Sequence, residues 1–208
     1  MTNTMYIGSG DVKALMAAKD SVSHINLMQR FVSGVKPHYN AIASPIDALR
    51  TGAILEDRYL RSLPEDYYAQ YPAICQEMDV FKCSIDFAKI EGGKIVDFEE
   101  LKTMQFFDFL NLTGIKERSK EENVALIKKS YKAYYNQIQQ QLYCTGLNEA
   151  TLTFLIVNSY DDAENMSREI QPNDTIKIRI PRDEEAIAAI KEQGYIFQQI
   201  KNYYNGKL

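Results

Sequence analysis

Residues 82–103 read KCSIDFAKIEGGKIVDFEELKT and hold five carboxylates and four lysines around a Gly-Gly pair. The two halves alternate apolar and polar side chains and are rich in Ile, Val and Phe, the pattern of half-buried strands. The glycines between them suit a tight turn, since glycine enters the left-handed backbone region without steric cost. The stretch predicts a β-hairpin. In IVDFEELKT a period of two sets Val96, Phe98, Glu100 and Lys102 on one face, and Asp97, Glu99 and Leu101 on the other. A carboxylate and an amine beside two large apolar residues must, if buried, pair, bind a metal or serve a reaction. What lies opposite depends on the turn. A three-residue Glu91-Gly92-Gly93 loop sets Asp86 opposite Phe98 and on the Glu100 face, whereas a two-residue Gly-Gly turn sets it with Glu99. The pattern leaves both registers open, and the Glu100–Lys102 spacing favours the first. Glu91, Lys94, Asp97 and Glu99 are expected in solvent.

Helices are predicted on both sides of the hairpin. SGDVKALMAA, from Ser9 as N-cap, and SVSHINLMQRFVSG, ending at Gly34, carry apolar residues at helical spacing. SPIDALRTGAILEDRYL has Ser44 as cap and Pro45 at the first helical position. Its inward stripe runs Ile46, Leu49, Ala53 and Leu60, with Glu56 on the same stripe, a costly place for a carboxylate unless it is paired or binds metal. After the hairpin, KEENVALIKKSYKAYYNQIQQQLYCTG reads as one long helix with the apolar line Val124, Ile127, Tyr131, Tyr134, Ile138 and Leu142. LTFLIVN and TIKIRI read as strands, and the segment from Pro181 to Tyr204 as a closing amphipathic helix. The sum is an α/β fold, a mixed central sheet flanked by helices, in a single domain over residues 1–208.

The chain has 208 residues, 25% of them charged, and a net charge of −4, which argues against non-specific coating of nucleic acid but not against a local basic track. No apolar run reaches the roughly 20 residues that cross a bilayer, and the N-terminus lacks a signal-peptide pattern. Three cysteines, Cys75, Cys83 and Cys144, form no CxxC and read as packing residues in a reducing cytoplasm. His24 and His38 have no acid or cysteine at ligand spacing and are expected at the surface.

Two hard acids on neighbouring strands, Asp86 and Glu100, with the helix carboxylate Glu56, suit Mg²⁺ or Mn²⁺. Lys102, two residues beyond one ligand, could act on an attacking water or stabilise charge on a phosphate. On the long helix, Lys128, Lys132, Tyr135, Gln139 and Tyr143 advance by threes and fours along a second stripe that would suit a phosphate backbone. The plain alternative is a solvated face.

These residues, taken in order, resemble the lambda-exonuclease branch of the RecB-type PD-(D/E)xK nucleases, the viral recombination exonucleases. IGSGDV with Ser9 matches the family's early serine. GAILE matches its GxxxE helix, and CSIDF, with Ser84 and Asp86, its aspartate motif. Glu100, Leu101 and Lys102 match ELK, and QIQQQLY, from Gln137 to Tyr143, matches the glutamine helix. The resemblance implies a restriction-endonuclease-like core. It implies one or two Mg²⁺ or Mn²⁺ ions held by Asp86, Glu100, the Leu101 carbonyl and Glu56, with Lys102 acting on the water. It further implies Gln139 at the scissile phosphate, Gln137 in the same motif, and Ser9 and Ser84 at the terminal phosphate. The function implied is hydrolysis of linear duplex DNA from the 5′ end in phage-type recombination. A ring trimer and a single-strand annealing partner are family possibilities. Two features depart from the pattern: Ile85 replaces the proline before Asp86, and no basic residue precedes Ser9. Alternatives are a RecB-like single-strand exonuclease, a structure-selective endonuclease, or a catalytically silent DNA-end-binding recombination partner.

Overall fold

Gly92 and Gly93 have φ of 56° and 76°, the two left-handed residues that a two-residue hairpin turn requires. They join strands β2 (Lys82–Glu91) and β3 (Lys94–Gln105) in a computed structural model that describes residues 5–34, 46–157 and 169–206. Glu91 pairs with Lys94 and Ile90 with Ile95, after which the register shifts so that Lys89 faces Asp97. Val96 is the extra residue of a β-bulge and is turned outward, 41% exposed. Neither register expected from the sequence is therefore the real one. Ala88, not Asp86, stands opposite Phe98, and Phe87 stands opposite Glu99. The turn is two-residue, and the bulge moves every pair beyond it along by one.

Strands β1 (Tyr67–Ile74), β4 (Glu149–Val157) and β5 (Thr175–Pro181) complete a mixed sheet of order β1-β2-β3-β4-β5. Only the β3–β4 neighbours run parallel. The crossover between them is built from helices α4 (Phe106–Leu110), α5 (Lys120–Ser130) and α6 (Lys132–Thr145), as a parallel connection requires. Helices α1 (Val12–Leu15), α2 (Val22–Ser33) and α3 (Ile46–Ser62) precede the sheet, and α7 (Glu184–Tyr204) follows it. The sequence pattern did not mark β1. It is an edge strand with Pro72 in it and few buried residues, so it lacks the apolar alternation that identifies a strand.

One sheet face packs Ile85, Phe98, Leu152 and Phe154 against Ile127, Ile138 and Leu142 of α5 and α6. The other packs Phe87, Leu101, Leu155 and Val157 against Leu55 and Tyr59 of α3. Among the described residues the inward face of α3 is Leu55 and Tyr59, with Leu60 packed against the same cluster as expected and Ala53 exposed; the side chains of Ile46 and Leu49 lie outside the described residues. Ser44, its expected cap, and His38 lie outside the described residues. A third cluster joins α1, α2 and α7 over Phe81. His24 belongs to it, buried with its ring edge-on to Phe197 at 6.0 Å, and is not a surface residue. The expected long helix is two helices, because Tyr131 leaves helical geometry at φ −126°, ψ 41°. This break lets Tyr131 and Tyr134 both lay their rings against Phe154. Among the described residues no helix is long and apolar enough to cross a membrane.

Candidate metal and phosphate site

The ladder between β2 and β3 ends at Phe87–Glu99, and Asp86 is the next residue along. Here the phase of β2 changes, for Ile85 and Phe87, two residues apart, are buried on opposite faces. The Leu101 N–H donates to Asp86 Oδ2 at 2.9 Å in place of a ladder bond. Asp86 is thereby locked beside the EL step of β3. Burial and the neighbouring Glu100 charge push its carboxyl up to about 8.

Glu100 is 1% exposed and has three donors. Lys102 Nζ reaches its Oε1 at 2.5 Å, Gln137 Nε2 donates to the same oxygen, and Gln141 Nε2 donates to Oε2 at 2.6 Å. An ionised carboxylate this deep is tolerable only with such charge-assisted bonds. Lys102 also stands over the Tyr134 ring, 5.5 Å from its centroid. Burial disfavours its charge, but Glu100 and Asp86 outweigh that and raise its pKa, so the ammonium stays protonated. Glu56 is half-buried on α3. Burial and Glu100 raise its pKa, while Lys102 and a hydrogen bond from Gln70 hold it down.

Among the described residues no three Asp, Glu, His or Cys side chains already enclose a single metal position. The donors present nevertheless fit a hard cation: the buried Glu100 and the half-buried Asp86 side by side, their repulsion offset by one lysine, with Glu56 close enough to feel both. A cavity of about 260 Å³ lies elsewhere, between Phe109, Leu112, Ile115 and Lys177. It has no carboxylate in its lining and is not where the acids converge.

The remaining expected residues divide. Gln137 reaches the site; Gln139 does not. Gln139 is fully buried on the next helical face, where Nε2 donates to the Pro181 carbonyl and Oε1 accepts from the Asp183 N–H. Lys128 and Tyr135 donate to Asp183 as well, at 2.8 and 2.7 Å. Burial opposes the charge on Asp183, yet these donors hold its carboxyl down to about 2. Asp183 also caps α7 by accepting from Glu185 and Ala186. Tyr143 is buried, with its ring edge-on to Phe81. The second stripe is therefore a corner between α5, α6 and α7, in which Tyr135, Gln139 and Tyr143 are buried while Lys128, paired with Asp183, and Lys132 are exposed. Ser84 is exposed and donates to Gln70 Oε1 at 2.8 Å. Ser9 is not a cap but the first residue of a 3₁₀ turn, buried. The preceding Ile7 carbonyl accepts from Gln140 Nε2. Arg30, a potential basic residue near this turn, is ion-paired with Asp11.

Two participants escaped the sequence reading. Gln141 lies one turn beyond Gln137 and so shares its face, a signal that i, i+4 spacing does carry. Gln70 lies on the unrecognised strand β1. One expectation is reversed: Glu99, expected in solvent, is 6% exposed. It accepts from Tyr59 OH at 2.7 Å, Thr153 Oγ1 at 2.9 Å and Lys177 Nζ at 3.1 Å on the opposite sheet face. Asp97 is likewise tied to Arg179.

Among solved structures, the chain is similar to an alkaline exonuclease from Laribacter hongkongensis, with 15% identity, TM-score 0.58 and coverage of 99% of this chain and 93% of that one. The same enzyme in complex with dAMP aligns with 16% identity and TM-score 0.58, over 97% of this chain and 92% of that one. The chain has the fold of that enzyme. A phage-related exonuclease from Haemophilus somnus shares it, at 16% identity and TM-score 0.53, over 100% of this chain and 99% of that one. No family model matches the sequence, and no curated protein matches it. In this fold, α/β with a restriction-endonuclease-like core, Asp86 lies on β2 and Glu100 and Lys102 on the central strand β3.

Proposed function

We propose that the chain is a metal-dependent deoxyribonuclease that removes nucleotides from the ends of linear duplex DNA. The observation that carries this reading is the buried Glu100 carboxylate, bonded to Lys102 and flanked by Asp86, within the fold of known exonucleases. Asp86 and Glu100 would hold a divalent cation, with Glu56 and the Leu101 carbonyl contributing. A bound Mg²⁺ or Mn²⁺ supplies Lewis-acid stabilisation of the phosphate and acidifies water. The chain's own residues do the rest. Gln137 and Gln141 fix the Glu100 carboxylate in one orientation, so its oxygens need not reorganise during reaction. Lys102, held protonated, places a positive charge where negative charge builds on the phosphoryl oxygens. The Leu101 N–H keeps Asp86 beside it. Support for a nucleotide product comes from the Laribacter enzyme, whose structure holds dAMP. Attack from the 5′ end, a role in phage-type recombination, a ring trimer and a strand-annealing partner remain parts of the same reading, carried by the family resemblance.

Lys102→Ala should lower Mg²⁺-dependent release of nucleotides from linear duplex DNA by on the order of 100-fold or more. It also strips the buried Glu100 of its charged partner and should lower the melting temperature, so the assay is run below that temperature on protein whose circular dichroism matches the wild type. Full activity in that variant would sink the assignment. Linear against closed circular substrate, and 5′-phosphate against 5′-hydroxyl ends, then separate end-dependent cutting from endonuclease action.

A further inference from the structure

Among the described residues Gln70 is the one non-glycine residue with positive φ, at 51°. That conformation crowds Cβ against the backbone, and side-chain-bearing residues persist in it only where the surroundings demand it. Packing makes no such demand here, since Gln70 is exposed on the edge strand β1. Its neighbours keep the ladder, Ala69 facing Phe87 and Tyr71 facing Ile85, while Gln70 itself drops out of it. The skipped position is level with Asp86, where β2 also parts from β3. The twisted backbone gives the amide two partners on different elements. Nε2 donates to Glu56 Oε2 on α3 at 3.2 Å, and Oε1 accepts from Ser84 Oγ on β2 at 2.8 Å. A strand that needed only a bend would be served better by glycine or asparagine.

We propose that Gln70 is a positioning residue: braced by Ser84, its amide holds the Glu56 carboxylate toward Asp86 and Glu100 to receive a divalent cation. The inference rests on the metal-dependent reading of the site. It assigns the strained turn of β1 to orienting a metal ligand, in the manner of the outer partners that orient ligands at other metal centres.

The test is titration calorimetry of the full chain with Mn²⁺ alone, without DNA, on the wild type, Gln70→Gly and Gln70→Asn. Glycine removes both the amide and the strain. Asparagine accepts the left-handed backbone but is one methylene too short to bridge Glu56 and Ser84. Both variants should melt no lower than the wild type and bind Mn²⁺ more weakly, on the order of 10-fold. In the nuclease assay, the Mn²⁺ concentration for half-maximal rate should rise by the same factor, with kcat recovered at saturating metal. Glu56→Gln should weaken Mn²⁺ binding similarly, and the double variant should lose no more than either single one. Unchanged Mn²⁺ affinity in Gln70→Gly, with a raised melting temperature, would show the residue to be only a strand bend and overturn the proposal. A wild-type chain that binds no Mn²⁺ overturns the metal reading itself, and the role of Gln70 with it.

Discussion

Asp86 is the residue at which the conflict between burial and charge is sharpest. Its carboxyl ordinarily loses its proton near 3.8, but in the folded chain burial and Glu100 push that value up to about 8. Between these values the folded chain holds a proton that the unfolded chain has released. The stability tied to this proton is fully present below about pH 4 and is lost as pH rises towards about 8. A divalent cation bound as proposed would reverse the preference, because it would favour the ionised acid and expel the proton. The rise in melting temperature caused by Mg²⁺ should therefore be larger at about pH 9 than at about pH 6. Asp86→Asn should remove the Mg²⁺ response, flatten the pH dependence, and melt above the wild type at high pH without metal. Thermal melts across pH, with and without Mg²⁺, check all three. A Mg²⁺ response that shrinks with rising pH would contradict this account of Asp86.

At the scale of elements, strand β3 separates two adjacent glutamates by sending them to opposite faces of the sheet. Glu100 meets the glutamines of α6, whereas Glu99 meets Tyr59 of α3, Thr153 of β4 and Lys177 of β5. Burial and the Glu99 charge raise the Tyr59 phenol far above its ordinary value, so it remains a donor at any working pH. Tyr59→Phe removes one of the two donors to Glu99 Oε2, leaving Thr153 alone on that oxygen. It should cost about 1–3 kcal/mol of stability, read by denaturant unfolding, while the metal-saturated rate stays within about two-fold of wild type, as expected for an effect confined to the folded-state network. A large loss of activity with unchanged stability would instead place Glu99 in the reaction. Strand alternation was legible in EELK and separated Glu99 from Glu100 correctly. What the alternation could not convey was that both faces are covered, one by α6 and one by α3, so that neither glutamate is in solvent.

At the scale of the whole molecule, the site depends on how α7 and the N-terminal helices clamp the ends of the sheet. Gly194 of α7 lies against Phe81, and a methyl group there would meet its Cζ at 2.2 Å. Phe81 is fully buried and cannot swing away, so Gly194→Ala should destabilise the chain by about 1–3 kcal/mol, seen as a lowered unfolding midpoint at unchanged slope. The same clamp explains which residues the sequence could assign. GxxxE, CSIDF and ELK are local patterns on single elements, and a strand period or helical stripe is enough to bring Glu56, Asp86, Glu100 and Lys102 to the right elements. The hairpin, the sheet-flanking helices and the acidic character of the centre follow from that local periodicity. Contacts between distant segments follow other rules. The bulge at Val96 sets the register, the break at Tyr131 sets the direction of α6, and together they present Gln137 and Gln141, not Gln139, to Glu100. Side chains on one helix differ by only 100° in direction for each residue. Which two of the four glutamines at 137, 139, 140 and 141 face a carboxylate some 40 residues away is thus decided by packing of α6 against α1, α7 and the sheet. By itself, the sequence determined which elements carry Glu56, Asp86, Glu100 and Lys102; only the tertiary structure, through packing between distant segments, decided which of them are bonded together and which glutamines hold Glu100.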